Sequence, residues 1–257
     1  MELLVENLGI TFGGLKAVQN LNFKVKPQSI FGLIGPNGAG KTTVFNLLTG
    51  VYKPSTGKIL LHNKEIKNKK PFQITSMGLA RTFQNIRLFK NLSLLDNLLI
   101  AIDQCPSSKK YSLLPTIFRP KKLLAYEEIK KNQCLEILKI FHMEEDALML
   151  AKNLPYGKQR KLEIARAIAT GAKIILLDEP AAGLNMQETK DLMDTLRFIR
   201  EKFKMTILLI EHDMKMVMNL CEHIVVLDYG EKIAEGNPLE IKQNPKVIEA
   251  YLGIKHE

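Results

Sequence analysis

The chain has only three cysteines in 257 residues, Cys105, Cys134 and Cys221, and no two of them stand in a C-x-x-C spacing. So sparse a set supports neither a disulfide framework nor a zinc site, and three free thiols are expected. No apolar run approaches the roughly 18 to 20 residues that a bilayer-spanning helix needs. The opening residues, Met1-Glu2-Leu3-Leu4-Val5-Glu6, lack the basic segment followed by a long apolar one that marks an export signal, so a cytosolic chain is expected. Sustained heptads are missing too, which removes a long coiled coil. What is present is ordinary for a globular protein: 46% hydrophobic and 25% charged residues, in a length that allows one large domain or a core with a smaller inserted lobe. Lysine and arginine exceed aspartate and glutamate by ten, 37 against 27. That surplus suits nucleic acid, anionic lipid or a lysine-rich solvated surface, and does not choose among them.

The informative stretch is Gly35-Pro36-Asn37-Gly38-Ala39-Gly40-Lys41-Thr42, which matches G-x-x-x-x-G-K-[ST] at every fixed position. An apolar run suited to a buried strand, residues 29–34, precedes it, and the amphipathic Thr43-Val44-Phe45-Asn46-Leu47-Leu48-Thr49 follows, closed by Gly50. In this order, strand, glycine-rich loop and helix let successive amides converge on one cavity at the positive end of a helix, where a polyphosphate fits. The chemistry of such loops sends Lys41 to the β- and γ-phosphates and the Thr42 hydroxyl to Mg²⁺, with Gly35, Asn37, Gly38, Ala39, Gly40 and Thr43 around the nucleotide. A plain glycine turn needs neither Lys41 nor Thr42 at these offsets. ATP and Mg²⁺ are therefore the expected cofactors.

Residues 3–7, 10–12, 21–25 and 58–62 read as short strands of a β layer, broken by Gly9, Gly13-Gly14 and Pro27. Phe12, just before the Gly-Gly turn, could stack on a purine base or serve as a core phenylalanine. Lys64, Lys67, Lys69 and Lys70 have no aromatics interleaved for base stacking and read as a solvated loop. From Asn85 to Asn153 the pattern turns helical, in residues 93–100 and 123–141, and the stretch from Cys105 to Pro120, with Pro106 and Pro115, is the expected mobile loop. Gly157 opens a further helix carrying Leu162, Ala165, Ile168 and Ala169 on one face. The strand at 173–177 then ends in Asp178 and Glu179. An acid there can hold Mg²⁺ through water, which makes Asp178 the partner of Thr42 and leaves Glu179 for another role.

The phosphate loop, Gln84, the run Leu154-Pro155-Tyr156-Gly157-Lys158-Gln159, the acidic strand with Glu179, the turn Ala182-Gly183-Leu184-Asn185 and His212 in Ile210-Glu211-His212-Asp213 follow in an order that resembles the ATP-binding-cassette ATPases. The likeness covers nearly the whole chain. It implies an α/β P-loop NTPase fold, a mixed-sheet core with an N-terminal antiparallel β layer and an inserted helical subdomain. Residues 1–257 would form a single ATPase domain, with 1–84 and 154–257 as the nucleotide-binding core and 85–153 as the helical subdomain. It also implies roles: Phe12 against adenine, Gln84 contacting Mg²⁺ and the attacking water, Glu179 polarising that water, and His212 contacting the γ-phosphate. The metal set would be Thr42, Gln84 and Asp178. Pro155, Tyr156, Gly157 and Gln159 would meet a nucleotide bound by a partner subunit. Two positions depart from the family. Its usual signature is Leu-Ser-Gly-Gly-Gln, whereas Pro155 has neither a hydroxyl nor an amide hydrogen, and Asn185 stands where Asp is usual.

The Tyr-Gly signature, the Ala-Ala-Gly-Leu-Asn turn, the proline-containing lobe and the ending with Tyr251-Leu252-Gly253 look most like the larger ATPase of branched-chain amino acid importers. That resemblance implies a peripheral subunit on the cytoplasmic face of the membrane, working with integral permease subunits, with a second ATPase in a heterodimer and, indirectly, with a periplasmic or extracellular substrate-binding protein. No nucleic-acid partner is expected. Two other readings stay open: the ATPase of a lipid or lipopolysaccharide exporter, and a repair or chromosome-maintenance ATPase. The basic balance favours the second, which would ordinarily carry coiled-coil or zinc insertions that this chain lacks. With the chain ending at Glu257, no ligand-sensing C-terminal module is expected.

Overall fold

Alternating apolar residues from Leu3 onward build β1 (Leu3–Phe12), which pairs antiparallel with β2 (Leu15–Val25). The computed structural model describes residues 2–103 and 121–252, so the stretch from Cys105 to Pro120 expected to be mobile lies outside the described residues. Gly9 does not break the first strand, as the sequence suggested. The register instead shifts between Val5 and Leu8 and again before Ile10, with Asn7 at φ +49°, so the irregularity is absorbed as bulges within one strand. β4 (Thr56–Leu61) lies on the other side of β1 with Leu3 opposite Leu61. A two-residue β5 (Lys64–Glu65) completes the sheet order β2-β1-β4-β5. Lys64, read as loop, thus stands in an edge strand, and Lys70 precedes the short helix α2 (Pro71–Ser76), where Pro71 takes the first helical position.

The second sheet is made of β3 (Ile30–Ile34), β6 (Leu79–Arg81), β7 (Ile174–Asp178), β8 (Thr206–Ile210), β9 (His223–Asp228) and β10 (Glu231–Gly236). Their order is β10-β9-β3-β8-β7-β6. Every neighbouring pair is parallel except β9 with β10, so the sheet is mixed. Strands β3, β7 and β8 are buried at every residue, which is why their sequences are nearly continuous apolar runs rather than alternating ones. Between the sheets, α1 (Lys41–Leu48) buries Val44, Phe45, Leu47 and Leu48 in a core shared with Leu3, Leu21, Phe31, Ile174 and Leu208. Each such side chain contributes about 1.5 to 3 kcal/mol on burial. Phe23 of the first sheet stacks on Phe31 of the second at 5.6 Å.

The chain divides into two units, residues 1–84 with 173–257, and residues 85–172. The second unit contains α3 (Leu94–Ile102), α4 (Lys121–Ile140) and α5 (Tyr156–Ala169). It runs to residue 172, past the 153 expected, because α5 packs on both α3 and α4 with Leu162, Ile164, Ala165 and Ile168 buried. Ser93 caps α3 by accepting from the Asp96 amide at 3.0 Å, and the fully buried Asn97 donates to the Phe89 and Ser93 carbonyls. The first unit closes with α6 (Met186–Phe203), α7 (Met214–Leu220), α8 (Pro238–Gln243) and α9 (Pro245–Leu252).

Cys134 and Cys221 are both buried free thiols, and burial pushes each up to about 12. The thiolate is the reactive form, so neither should alkylate in the folded protein. Treatment with iodoacetamide at pH 8 is expected to leave both unmodified in the native state and to label both in urea, as read by peptide mass mapping. Native labelling at the denatured rate would contradict their burial.

Candidate nucleotide site

Where β3 ends, the chain passes so close to its neighbours that side chains are excluded. A Cβ on Gly35 would lie 2.0 Å from the Leu227 carbonyl oxygen, and one on Gly40, at φ +98°, would lie 2.6 Å from the Ala17 carbonyl oxygen. The loop is thereby seated against β9 on one side and β2 on the other. Gly40 is the N-cap of α1 and offers no side chain to its first-turn amides, and no acidic residue stands in that turn. Those unpaired N–H groups, at the positive end of the helix, form an anion site. Thr42 and Thr43 follow in the same turn, while Asn37 and Gly38 are exposed at the loop's rim and Ala39 is buried beneath it. Lys41 is only 6% exposed, and its ammonium donates to the Gly35 and Pro36 carbonyls at 2.7 and 2.8 Å. Burial lowers its pKa, while the nearby Glu179 and Asp178 carboxylates act the other way. The loop and the acidic strand end therefore share one electrostatic site.

The parallel order β8-β7-β6 sets the C-terminal ends of three strands side by side. Gln84 lies three residues past β6, Glu179 one past β7 and His212 two past β8. Their side chains meet: Gln84 Nε2 donates to Glu179 Oε2 at 2.9 Å, and His212 Nε2 lies 2.8 Å from Glu179 Oε1. Glu179 sits at φ +51°, a left-handed conformation that costs a non-glycine residue on the order of 1 to 3 kcal/mol and collects at functional sites. Its amide donates to the Ile210 carbonyl at 2.9 Å, which ties the strained residue to β8.

Asp178 is 2% exposed, and its Oδ2 accepts from Arg81 Nη2 at 2.6 Å. Oδ1 accepts no hydrogen bond among the described residues. Mg²⁺ takes one or two protein oxygens and fills its shell with phosphates and water. The Thr42 hydroxyl, Asp178 Oδ1 and the Gln84 amide oxygen make a hard-oxygen set of that kind. Among the described residues there is no group of three or more His, Cys, Asp or Glu that could hold a metal ion.

Phe12 ends β1 with 43% of its surface exposed and meets Tyr52 edge-on, ring centroids 5.2 Å apart. Asn185 caps α6: its side chain accepts from the Glu188 amide at 2.9 Å while Glu188 accepts from the Asn185 amide at 2.9 Å, a function an amide performs as well as a carboxylate. In the second unit, Pro155 is the N-cap of α5, which begins at Tyr156, one residue before Gly157. Tyr156 is exposed, and Gln159 donates from its side chain to the Leu154 carbonyl at 2.8 Å.

Four residues were not singled out in the sequence. Arg81 had a signal, since a cation at the end of a strand as buried as Leu79-Ala80 must find a carboxylate. Tyr52 and Glu211 had none. Glu211 is 4% exposed and accepts from the Ala181 and His212 amides at 2.7 and 3.1 Å; burial pushes its carboxyl up, and the amides hold it down. Tyr251, on α9, reaches the phosphate loop: burial pushes its hydroxyl up to about 12 against the pull of the Gly35 amide.

Residues 18–182 match the model of the family described as ABC transporter, and residues 231–257 match that described as branched-chain amino acid ATP-binding cassette transporter. The chain is 45% identical over 251 residues to the high-affinity branched-chain amino acid transport ATP-binding protein LivG of Escherichia coli (strain K12), covering 98% of this chain and 97% of that one. It is 44% identical to BraF of Pseudomonas aeruginosa, with the same coverage. Among solved structures, the ADP conformation of MJ1267, an ATP-binding cassette of an ABC transporter, superposes with a TM-score of 0.83 at 32% identity, covering 98% of this chain and 99% of that one. A nucleotide-free cassette from an ABC transporter superposes with a TM-score of 0.82 at 32% identity and 99% coverage of both.

The loop glycines Gly38 and Gly40 should respond differently to a methyl group. Gly40→Ala meets the Ala17 carbonyl, whereas a Cβ on Gly38 meets nothing within 4 Å, although both have positive φ. Gly40→Ala is expected to lower the melting temperature and to abolish binding of a fluorescent ATP analogue, and Gly38→Ala to carry only the backbone strain, on the order of 1 kcal/mol. Equal effects of the two would contradict the seating of the loop.

Proposed function

The chain belongs to the ABC transporter family of ATPases, and on that premise we propose that it is the ATP-hydrolysing subunit of an importer of branched-chain amino acids. The observation that carries the catalytic part is the meeting of Gln84, Glu179 and His212 at a site whose field reaches Lys41. The substrate rests on the relatives' names and on the match over residues 231–257.

On this reading the first-turn amides of α1 and the Lys41 ammonium bind the β- and γ-phosphates, Lys41 exchanging the Gly35 and Pro36 carbonyls for phosphate oxygens. Phe12, with Tyr52 at its edge, stacks on adenine. Thr42, Asp178 and Gln84 would hold Mg²⁺, which when bound neutralises charge on the phosphate oxygens. Glu179 polarises the attacking water. Its two oxygens are held by Gln84 and His212, so the nucleotide must draw these partners toward itself before Glu179 is free to accept a proton. His212 then donates to the γ-phosphate as charge develops there. Glu211 positions His212 by accepting its amide, and the Ala181 amide joins the following turn to the same carboxylate.

The chain shows no helix among the described residues long and apolar enough to cross a membrane, in keeping with an ATPase that works with separate permease subunits. Its place is the cytoplasmic face of the membrane, against permeases that receive substrate from a binding protein on the opposite side. Pro155 supports a heterodimer. A signature that has lost its serine hydroxyl forgoes a hydrogen bond to a charged phosphate, worth about 1.5 to 3 kcal/mol, or about ten- to a hundredfold in closure of the site it completes. A partner with the usual Leu-Ser-Gly-Gly signature would make the site built on this chain's Lys41 the more active one.

Glu179→Gln is expected to retain ATP and slow phosphate release by at least about a hundredfold, since an amide cannot take the proton. Filter-bound nucleotide and released phosphate, measured on the assembled complex, test it; turnover at the wild-type rate would remove Glu179 from its role. Disabling the loop lysine in each ATPase separately tests the asymmetry. Lys41→Ala should cost more turnover and transport than the same change in the partner, and equal losses, or full activity of this chain as a homodimer, would overturn the heterodimer.

A further inference from the structure

Arg81 ends β6 three residues before Gln84, and its side chain is only 5% exposed. Its guanidinium is held on several sides. Nη2 donates to Asp178 Oδ2 at 2.6 Å, and Nη1 donates to Asn46 Oδ1 at 2.6 Å, with a longer approach to Thr49 Oγ1 at 3.4 Å. The Phe45 and Phe83 rings flank it, their centroids 5.4 and 4.9 Å from Cζ. Its remaining nitrogen, Nε, is buried with no hydrogen-bond partner among the described residues. Phe45 and Asn46 belong to α1, the helix that starts with Lys41 and Thr42, and Asp178 ends β7. One planar cation therefore ties the helix of the phosphate loop to the acidic strand end.

The geometry is specific to arginine. Two terminal nitrogens of one plane address Asn46 and Asp178 at the same short distance while the cation lies over two rings, an arrangement a lysine ammonium cannot reproduce. A buried ion pair is a weak source of net stability, because desolvation of both charges offsets their attraction. What the pair does supply is orientation. Asp178 has one carboxylate oxygen fixed by Arg81 and the other unengaged among the described residues, so the carboxylate plane cannot turn to present either oxygen at random.

We propose that Arg81 is a positioning residue for the metal–nucleotide site: it fixes the Asp178 carboxylate against α1 so that Oδ1 alone faces the cation that accompanies the nucleotide. The proposal rests on the reading of Asp178 as a metal-holding acid. Because Arg81 acts through Asp178 and not on the phosphates, its loss should weaken the metal and leave metal-free nucleotide binding in place. Outer partners that orient a metal-holding carboxylate typically matter by about ten- to a hundredfold in metal affinity.

The test uses the full-length chain with Mn²⁺ as the probe. Mn²⁺ binding in the presence of ATP is read by electron paramagnetic resonance, and binding of a fluorescent ATP analogue is titrated with Mg²⁺ and in EDTA. Arg81→Lys and Arg81→Met are expected to weaken Mn²⁺ about tenfold or more while changing nucleotide affinity in EDTA by less than about twofold. Asn46→Ala, which removes one anchor of the guanidinium, should shift Mn²⁺ affinity in the same direction by less. Arg81→Met combined with Asp178→Asn should be no weaker in Mn²⁺ than Asp178→Asn alone. Wild-type Mn²⁺ affinity in Arg81→Lys and Arg81→Met, with Asp178→Asn impaired, overturns the proposal and leaves the metal reading of Asp178 standing. An Asp178→Asn variant with wild-type Mn²⁺ affinity removes that reading itself. Equal loss of nucleotide affinity with and without metal in Arg81→Lys would make Arg81 a structural residue only, and should Arg81→Met not fold, Arg81→Lys and Asn46→Ala still decide the matter.

Discussion

A phosphate-binding loop must turn bare backbone amides toward one point, and the chain can do so only where its backbone passes its neighbours without side chains between. Here that constraint falls on Gly35 against the Leu227 carbonyl and on Gly40 against the Ala17 carbonyl. The first contact depends on β9 lying beside β3, and the second on β2 of the other sheet reaching the loop. The two sheets share one core through α1, so the loop's shape and the packing of Val44, Phe45, Leu47 and Leu48 are parts of the same arrangement. A core defect in α1 would be felt at the phosphates.

The polar groups beneath the loop are few, buried and mutually held. Arg81 with Asp178, and Glu211 with the Ala181 and His212 amides, each occupy positions from which water is largely excluded. In such surroundings a satisfied network fixes geometry more than it adds stability, since burial of the charges offsets most of their attraction. Glu179 shows the same preference for placement over comfort: its left-handed backbone is strained, yet it puts both carboxylate oxygens on partners from neighbouring strands. Glu179 and Lys41 are both engaged by protein groups, Glu179 by Gln84 and His212 and Lys41 by the Gly35 and Pro36 carbonyls.

The departures from the usual family pattern have different physical weights. Asn185 keeps the reciprocal cap of α6 intact, so replacing an acid there costs little locally. Pro155 is likewise a sound helix-entry residue for α5, but it removes the hydroxyl that a signature serine would offer. The C-terminal segment, the part of the chain that matches the branched-chain family model, borders the phosphate loop, with Lys246, Glu249 and Ala250 lining one pocket together with Pro36, Asn37, Gly38 and Ala39. Subfamily character and phosphate loop thus meet at one pocket.

By itself the sequence determined the strand–loop–helix at Gly35 to Thr42 and the apolar strands that became β3, β7 and β8, because glycine spacing, Lys41 and Thr42 offsets and continuous apolar runs are local patterns with local causes, whereas the roles of Gln84, Glu179 and His212 came from the order of motifs that resembles the family. The lack of C-x-x-C pairing gave free thiols, while the burial of Cys134 and Cys221 came from the packing. Only the tertiary structure decided that Gly9 lies within one bulged strand, since pairing with β2 and β4 overrides a local breaker. It also decided that α5 packs with α3 and α4, and that Arg81, Tyr52, Glu211 and Tyr251 reach the site. Their roles arise from partners 30 or more residues distant in most cases, Arg81 finding Asp178 at a separation of 97 and Asn46 at 35, and Glu211 finding Ala181 at 30. No local pattern encodes such pairings, because the order of parallel strands is set by the burial of whole faces, and only that order brings these side chains within hydrogen-bonding distance.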